Sequence, residues 1–416
     1  MSEPSEPSLL TPAVRDAALA LADRELPCYL YDLSALEQHA AAVRGALPRA
    51  VELYYAAKAN PEPEILRALA PYTDGFEVSS GGELAHVNRA VHDRPLAFGG
   101  PGKTEEEIEA ALAAGVRRFH VESLHELRLL ARLAPRHRGT AAARPRVLIR
   151  FNPPVTATAL EGSALAMGGR PTPFGMDPAE AAEAVRLFAD DGLPGLELAG
   201  LHAHLASGLA AGAQLALVEE VVAEAVRLAG RCGVRLRELT VGGGMHVDYS
   251  RPSARFDWSA FGAGMARIAE RYPGPVLRIE PGRSLTAYCG WYATEVLDVK
   301  RSHGAEFAVV RGGTHHLRTP AAKGHDQPAE VLAVDGWRHP PPRPAVRGSR
   351  VTFTGQLCTP KDVLARDVPA PGLRAGDRVV FALAGAYAWN ISHHDFLMHP
   401  APKFRFLHAR DRAAGG

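Results

Sequence analysis

Short apolar, β-rich runs begin near Val51, Gly75, Leu96, Arg117, Arg146, Leu196, Glu238 and Val276, and each is followed by a stretch of helical periodicity. Helical stretches are clearest at 63–69, 105–114, 124–133, 178–190 and 214–229. A strand and a helix alternating eight times predict a (β/α)8 TIM-type barrel. Ahead of it, Thr11-Pro12 reads as an N-cap and first helical residue, opening a helix to about Arg24 whose apolar positions are Val14, Leu19 and Leu21. Cys28-Tyr29-Leu30-Tyr31-Asp32 reads as a short strand and 34–47 as a helix. Residues 1–8, rich in Ser, Glu and Pro, are expected to fray, and 153–175, rich in Pro, Gly and Thr, to form a loop.

Beyond Arg283 the rhythm changes. Strand patterns at 291–299, 306–311, 329–334, 350–354 and 378–383 follow one another without helices of comparable length, which predicts a second, mostly antiparallel β domain. The expected division is an N-terminal segment, 1–44, partly joining the β domain; a barrel, 45–285; and a β domain, 286–416. A length of 416 residues agrees with two domains.

Charge narrows the function classes. With 47 basic and 46 acidic residues, the chain has no basic field for nucleic acid or an anionic membrane surface. No apolar run reaches transmembrane length. The four cysteines, Cys28, Cys232, Cys289 and Cys358, lack pair spacing, and with no signal peptide they read as reduced thiols in a cytoplasmic protein.

Chemistry in such a barrel collects where strand C-termini meet the following loops. There the first strand delivers Lys58, in Tyr55-Ala56-Ala57-Lys58-Ala59-Asn60-Pro61. Buried, its amine would lose its proton and become a nucleophile toward carbonyls; at a strand rim it would be an ordinary surface lysine. The sixth strand ends in His202-Ala203-His204, followed by Ser207. Period two sends both histidines to one side, as a lid on an aromatic ligand, as metal ligands, or as hydrogen-bonded core residues. Gly242-Gly243-Gly244 closes the seventh strand, where exposed amides can cradle a phosphate or merely form a turn. Glu280 ends the apolar eighth strand and needs a positive partner, either a protonated ring nitrogen or Arg283. In the β domain, Cys358 lies in a polar loop and Tyr387 after a glycine turn, while His315-His316 and His393-His394 read as surface or substrate-contact residues.

Taken in this order, these residues resemble the fold-type III pyridoxal-phosphate decarboxylases, the alanine racemase-like group that includes ornithine and diaminopimelate decarboxylases. The likeness runs from about Cys28 to Phe404. It also takes in Ser80-Gly81-Gly82-Glu83-Leu84, Val121-Glu122-Ser123 and Arg150-Phe151-Asn152-Pro153. The resemblance implies pyridoxal 5'-phosphate held covalently by Lys58, with His204 stacked on its ring and Glu280 at its ring nitrogen. Ser207, Gly242, Gly243, Gly244, Arg283 and Tyr387 would surround the phosphate. It further implies a homodimer with active sites shared across the interface, in which Cys358 is donated from one copy to the other as the acid of the reaction.

The family commonly follows that cysteine with an acidic residue that grips a distal amine; here Thr359, Pro360 and Lys361 follow. Pro173-Phe174-Gly175 likewise replaces a common Lys-Phe-Gly. Arg150, Arg318, Thr359, Lys361 and Asp362 are therefore the candidate substrate contacts, suited to an anionic distal group. Cys358-Thr359-Pro360-Lys361-Asp362 and the run 387–392 resemble the branch that decarboxylates citryl-diaminopropionate-type intermediates of carboxylate siderophores, as in staphyloferrin B assembly. The alternatives are a diaminopimelate or basic amino acid decarboxylase, a racemase of the same fold, a metal-dependent hydrolase using His202 and His204, or a cofactor-binding homologue without catalysis.

Overall fold

Eight parallel strands close on themselves: Val51–Ala56, Gly75–Val78, Leu96–Phe98, Arg118–Val121, Arg146–Arg150, Glu197–His202, Glu238–Thr240 and Val276–Ile279. The eighth returns to the first, with Arg278 opposite Glu52. These coordinates are a computed structural model that describes residues 8–137, 144–156, 160–189, 192–193 and 195–408. Of the segment expected to fray, 1–7 lies outside the described residues. By packing, the described chain divides into two compact units: 37–246 with 256–285 hold the barrel, and 8–36, 247–255 and 286–408 hold a second sheet.

The helices between barrel strands start where the sequence supplies caps. Ser80, Thr104 and Ser123 each accept the amide three residues on, and Glu107 answers Thr104 in a reciprocal capping box. The long helix Ala211–Arg231 turns Leu217, Val218, Val221, Val222, Ala225 and Leu228 inward at helical spacing. Within the loop at 153–175, Leu165–Ala166 forms a short strand paired with Ala206–Ser207.

Low in the barrel the interior departs from the usual aliphatic filling. Arg278, with no exposed surface, donates to Glu52 at 2.6 Å, Glu238 at 2.7 Å and Thr240 at 3.2 Å. Arg118 and Arg146 reach the same Glu238, each at 2.9 Å. Burial alone would raise the Glu238 carboxyl, but these cations, Arg278 foremost, pull it down to about 2.

In the other unit, six strands run in the order Ala329–Leu332, Arg378–Phe381, Gly290–Ser302, Ala305–Val310, Arg350–Thr354 and Val363–Pro369. Cys28–Asp32 adds antiparallel to Gly290–Ser302 and parallel to Lys403–Leu407. The sequence pattern did not disclose Val363–Pro369 or Lys403–Leu407. The first helix spans Pro12–Ala20, with the Thr11 hydroxyl accepting the Val14 amide at 3.3 Å. It buries Val14, Ala18 and then Leu21 against Leu30, Trp291 and Val380. Leu19, expected on that face, is exposed, because the buried positions follow the i, i+4, i+7 stripe.

Candidate functional site

At the C-terminal mouth of the barrel, the residues predicted from its strand ends gather in one place. Lys58 sits in a short turn directly after the first strand. Its ammonium pairs with Glu77 at 2.7 Å, and Glu77 also accepts from the Ser79 hydroxyl at 2.8 Å. The expected burial of Lys58 is not found: its side chain is 47% exposed, and an ion pair rather than desolvation orients it. Burial pushes the Glu77 carboxyl up, but the charge and hydrogen bond of Lys58 hold it well below the carboxylate range. Neighbouring Glu83 is pushed up to about 7, first by burial and then by the charge of Glu77.

His204 and the glycines form one structure. The Gly243 amide donates to His204 Nδ1 at 3.2 Å, so the imidazole proton lies on Nε2. A Cβ on Gly242 would fall 2.4 Å from that ring, one on Gly243 2.2 Å from the Glu280 carbonyl oxygen, and one on Gly244 2.2 Å from that of Ala206. Three glycines are therefore obligatory in this cradle. Buried Gln214 steadies it from behind, donating to the Gly243 carbonyl at 3.1 Å. Of the three amides expected to face a phosphate, that of Gly243 is spent on His204, a correction to the sequence reading. Burial first, then the charges of Arg150 and Lys58, lower His204 to about 3.

Glu280 lies behind them, buried, with Oε2 3.2 Å from His202 Nε2 and Oε1 without a hydrogen-bond partner. Its pKa is raised, chiefly by burial and then by Glu77, against the pull of His120 and Lys58. The His-x-His pair is thus divided: His204 belongs to the glycine cradle and His202 to Glu280. Among the described residues, the metal-sized cluster is His120, His202 and Glu280, so the combination of His202 with His204 does not form. Ser207 lies in the short strand beside the cradle, and Arg283, half-buried, opens the helix after Glu280.

Arg150, expected to contact substrate, is instead mostly buried and paired with Glu122 at 2.6 Å. Glu122 also takes the Gly175 amide at 3.1 Å, and the Arg150 guanidinium lies 5.1 Å from the Phe174 ring. Gly175, at φ 76°, passes so close to the Arg150 carbonyl that the Phe-Gly pair is fixed by backbone approach.

The β unit carries the other candidates. Asp362 is buried and accepts the amides of Thr314 and Leu357, each at 2.7 Å. It is a clasp between two loops, not the substrate contact expected, because both carboxylate oxygens are committed. Beyond the clasp Cys358 and Lys361 are exposed and Thr359 is half-buried. Arg318, at the end of the clasped 312–318 loop, is exposed, and its amide donates to the Ser392 hydroxyl oxygen at 3.1 Å. Tyr387 has φ 50°, and its carbonyl accepts the Thr319 hydroxyl. The pair His315-His316 is buried rather than superficial: His316 meets the Tyr292 hydroxyl at 3.0 Å, and the ring nitrogens of His315 have no hydrogen-bond partner.

Sequence reasoning missed Glu77 and His120. Each is a single polar residue between apolar neighbours in a buried strand, Phe76-Glu77-Val78 and Phe119-His120-Val121, and that interruption was the available signal.

A closed barrel whose mouth holds a lysine, a glycine cradle and a buried carboxylate, joined to an antiparallel sheet in one chain, defines a fold-type III architecture. The profile described as "Pyridoxal-dependent decarboxylase, pyridoxal binding domain" matches residues 33–287. The chain belongs to the pyridoxal-dependent decarboxylases, and its cofactor is pyridoxal 5'-phosphate. It is 36% identical over 382 residues to 2-[(L-alanin-3-ylcarbamoyl)methyl]-2-hydroxybutanedioate decarboxylase of Staphylococcus aureus, covering 91% of this chain and 93% of that protein. It is 32% identical over 391 residues to L-glutamyl-[BtrI acyl-carrier protein] decarboxylase of Niallia circulans, covering 91% and 88%. The structure of diaminopimelate decarboxylase from Helicobacter pylori complexed with L-lysine superposes with TM-score 0.79 at 25% identity, over 92% of this chain and 91% of that one.

The barrel mouth fits such a cofactor. The cradle leaves no room for any Cβ, as a close-held phosphate requires, and Glu280 keeps one unpartnered oxygen for a ring N–H. No helix among the described residues is long and apolar enough to cross a membrane.

Proposed function

We propose that this chain decarboxylates an amino-acid-derived substrate with an anionic distal group, a citryl-amino acid intermediate of carboxylate siderophore biosynthesis. It does so as a cytoplasmic homodimer with active sites shared between copies. The observation that carries this reading is the 36% identity, nearly end to end, to the staphylococcal enzyme, whose named substrate joins an amino acid to a hydroxy-dicarboxylate. The loop after Cys358 supports it, because it offers Thr359 and Lys361 where a distal amine would need an acid.

When bound, pyridoxal phosphate supplies an electron sink for the bond to the departing CO2. Lys58 is the residue that holds it, steered by Glu77. His204 lies against its ring, fixed by Gly243, and Glu280 accepts the ring N–H. Ser207, Gly242, Gly244, Arg283 and Tyr387 bind the phosphate. Cys358 of a second copy delivers a proton to the carbon that loses CO2. Arg318, Thr359 and Lys361 bind the distal carboxylates.

The test begins with the visible spectrum of the purified protein before and after borohydride, with peptide mapping; a pyridoxyl mass on Lys58 is expected. CO2 release is then compared among citryl-diaminopropionate, diaminopimelate, lysine and ornithine. Faster turnover of any of the last three overturns the substrate assignment. Undiminished release by Cys358→Ala overturns the role of the thiol.

A further inference from the structure

Two histidines flank Glu280, and only one of them can hydrogen-bond to it. His202 Nε2 stands 3.2 Å from Glu280 Oε2, whereas His120 Nε2 is 3.7 Å from Oε1. The two rings lie nearly parallel, 19° apart in plane, with centroids separated by 4.2 Å. All three side chains are buried. Burial holds both imidazoles well below their ordinary range, so each is neutral at neutral pH and offers a single N–H.

A carboxylate only accepts, so the 3.2 Å contact places the His202 proton on Nε2. The unprotonated Nδ1 is then the atom left without a partner, as observed. His120 covers one face of the His202 ring. Its own strand end is fastened by Lys103, which donates to the His120 carbonyl at 2.9 Å and pairs with buried Glu126 at 2.7 Å. Nothing in this arrangement hydrogen-bonds to Glu280 Oε1.

We propose that His202 and His120 are positioning residues for the cofactor site: His202 fixes the Glu280 carboxylate by donating to Oε2, and His120 fixes His202 by stacking. Together they leave Oε1 as the one acceptor aimed at the ring nitrogen of the cofactor. This rests on the reading of Glu280 as the partner of that nitrogen.

The test titrates pyridoxal phosphate into apo protein and follows the affinity and absorption spectrum of the bound cofactor, with kcat and KM measured alongside. His202→Leu, with wild-type circular dichroism, is expected to bind cofactor about tenfold more weakly, with an altered spectrum and a lower kcat at unchanged KM. His202→Gln, which can still donate toward Oε2, recovers most of the loss. His120→Ala shows a smaller loss of about threefold, and His120→Phe, which keeps a stacking face, recovers part of it.

Should His202→Leu fail to fold, His202→Gln against the shorter His202→Asn makes the same comparison, with only Gln near wild type. If Glu280→Gln changes spectrum and affinity while His202→Leu does not, the positioning role is wrong. The same holds if Gln is no better than Leu or Asn. If Glu280→Gln itself leaves spectrum and affinity unchanged, the reading of Glu280 falls and this proposal with it.

Discussion

Arg278 lies on the eighth barrel strand and Glu280 just past its end, two residues on; both are buried, yet their surroundings are opposite in kind. Arg278 spends all three guanidinium nitrogens on Glu52, Glu238 and Thr240, and Glu238 is met from other strands by Arg118 and Arg146. Glu280 has one oxygen on His202 and the other on nothing; His120 Nε2 and His202 Nδ1 are also unpartnered. A buried polar atom without a partner costs about 1–3 kcal/mol. Arg278 and Glu238 avoid that cost, whereas Glu280 and its two histidines carry it, which marks the upper layer as the one shaped for a visitor. Burial and charge alone would not have separated them.

Breaking the lower layer gives the largest effect. Arg278→Met removes the cation shared by Glu52 and Glu238 and is expected to destabilise the fold by about 3–5 kcal/mol, measured as a shift in urea denaturation. The corresponding change above, Glu280→Gln, is expected to alter stability by less than about 1 kcal/mol, since it removes a charge that burial already disfavours. Turnover should nevertheless fall on the order of a hundredfold. If instead Glu280→Gln unfolds the protein and Arg278→Met is tolerated, the two layers have been assigned the wrong way round.

The same contrast explains what the sequence disclosed. The barrel was legible because its strands are short apolar runs at regular intervals, and Lys58, His204, Gly242 and Glu280 because they sit at strand ends beside small residues. Glu77 and His120 lie in mid-strand, where attention to apolar continuity conceals a polar interruption. Loop residues were read worst. Asp362 and His315 carry no periodicity, so nothing in their spacing distinguishes a buried clasp from an exposed contact. Lys58 erred the other way: its small neighbours suggested burial, but the turn at 57–59 lifts its side chain into a half-exposed ion pair with Glu77.

The smallest expected effect sharpens the comparison by pH. A histidine whose folded pKa lies below its unfolded value near 6.5 stabilises fully above that value, and the contribution is lost as pH falls through it, because the unfolded chain then takes up a proton that the folded one refuses. His120, His202 and His204 all behave this way in the upper layer, with His204 lowered to about 3. Glu83, raised to about 7, acts in the opposite sense between the ordinary glutamate range and neutrality, and Glu280 joins it. The net slope of the wild type therefore mixes several groups, which titrate in the field of the charges on Lys58, Glu77 and Arg150. Comparing apo wild type with His202→Gln isolates one of them: the stability difference between the two should shift by less than about 1 kcal/mol between pH 7.5 and 6, with the wild type losing more. Glu238, at the centre of the lower layer, contributes nothing in that window, since it is held down to about 2. A difference that changes in the opposite direction, with the wild type gaining stability as pH falls, would mean that His202 is already charged in the folded protein, and its proton would then belong to an ion pair with Glu280 rather than to a neutral donor.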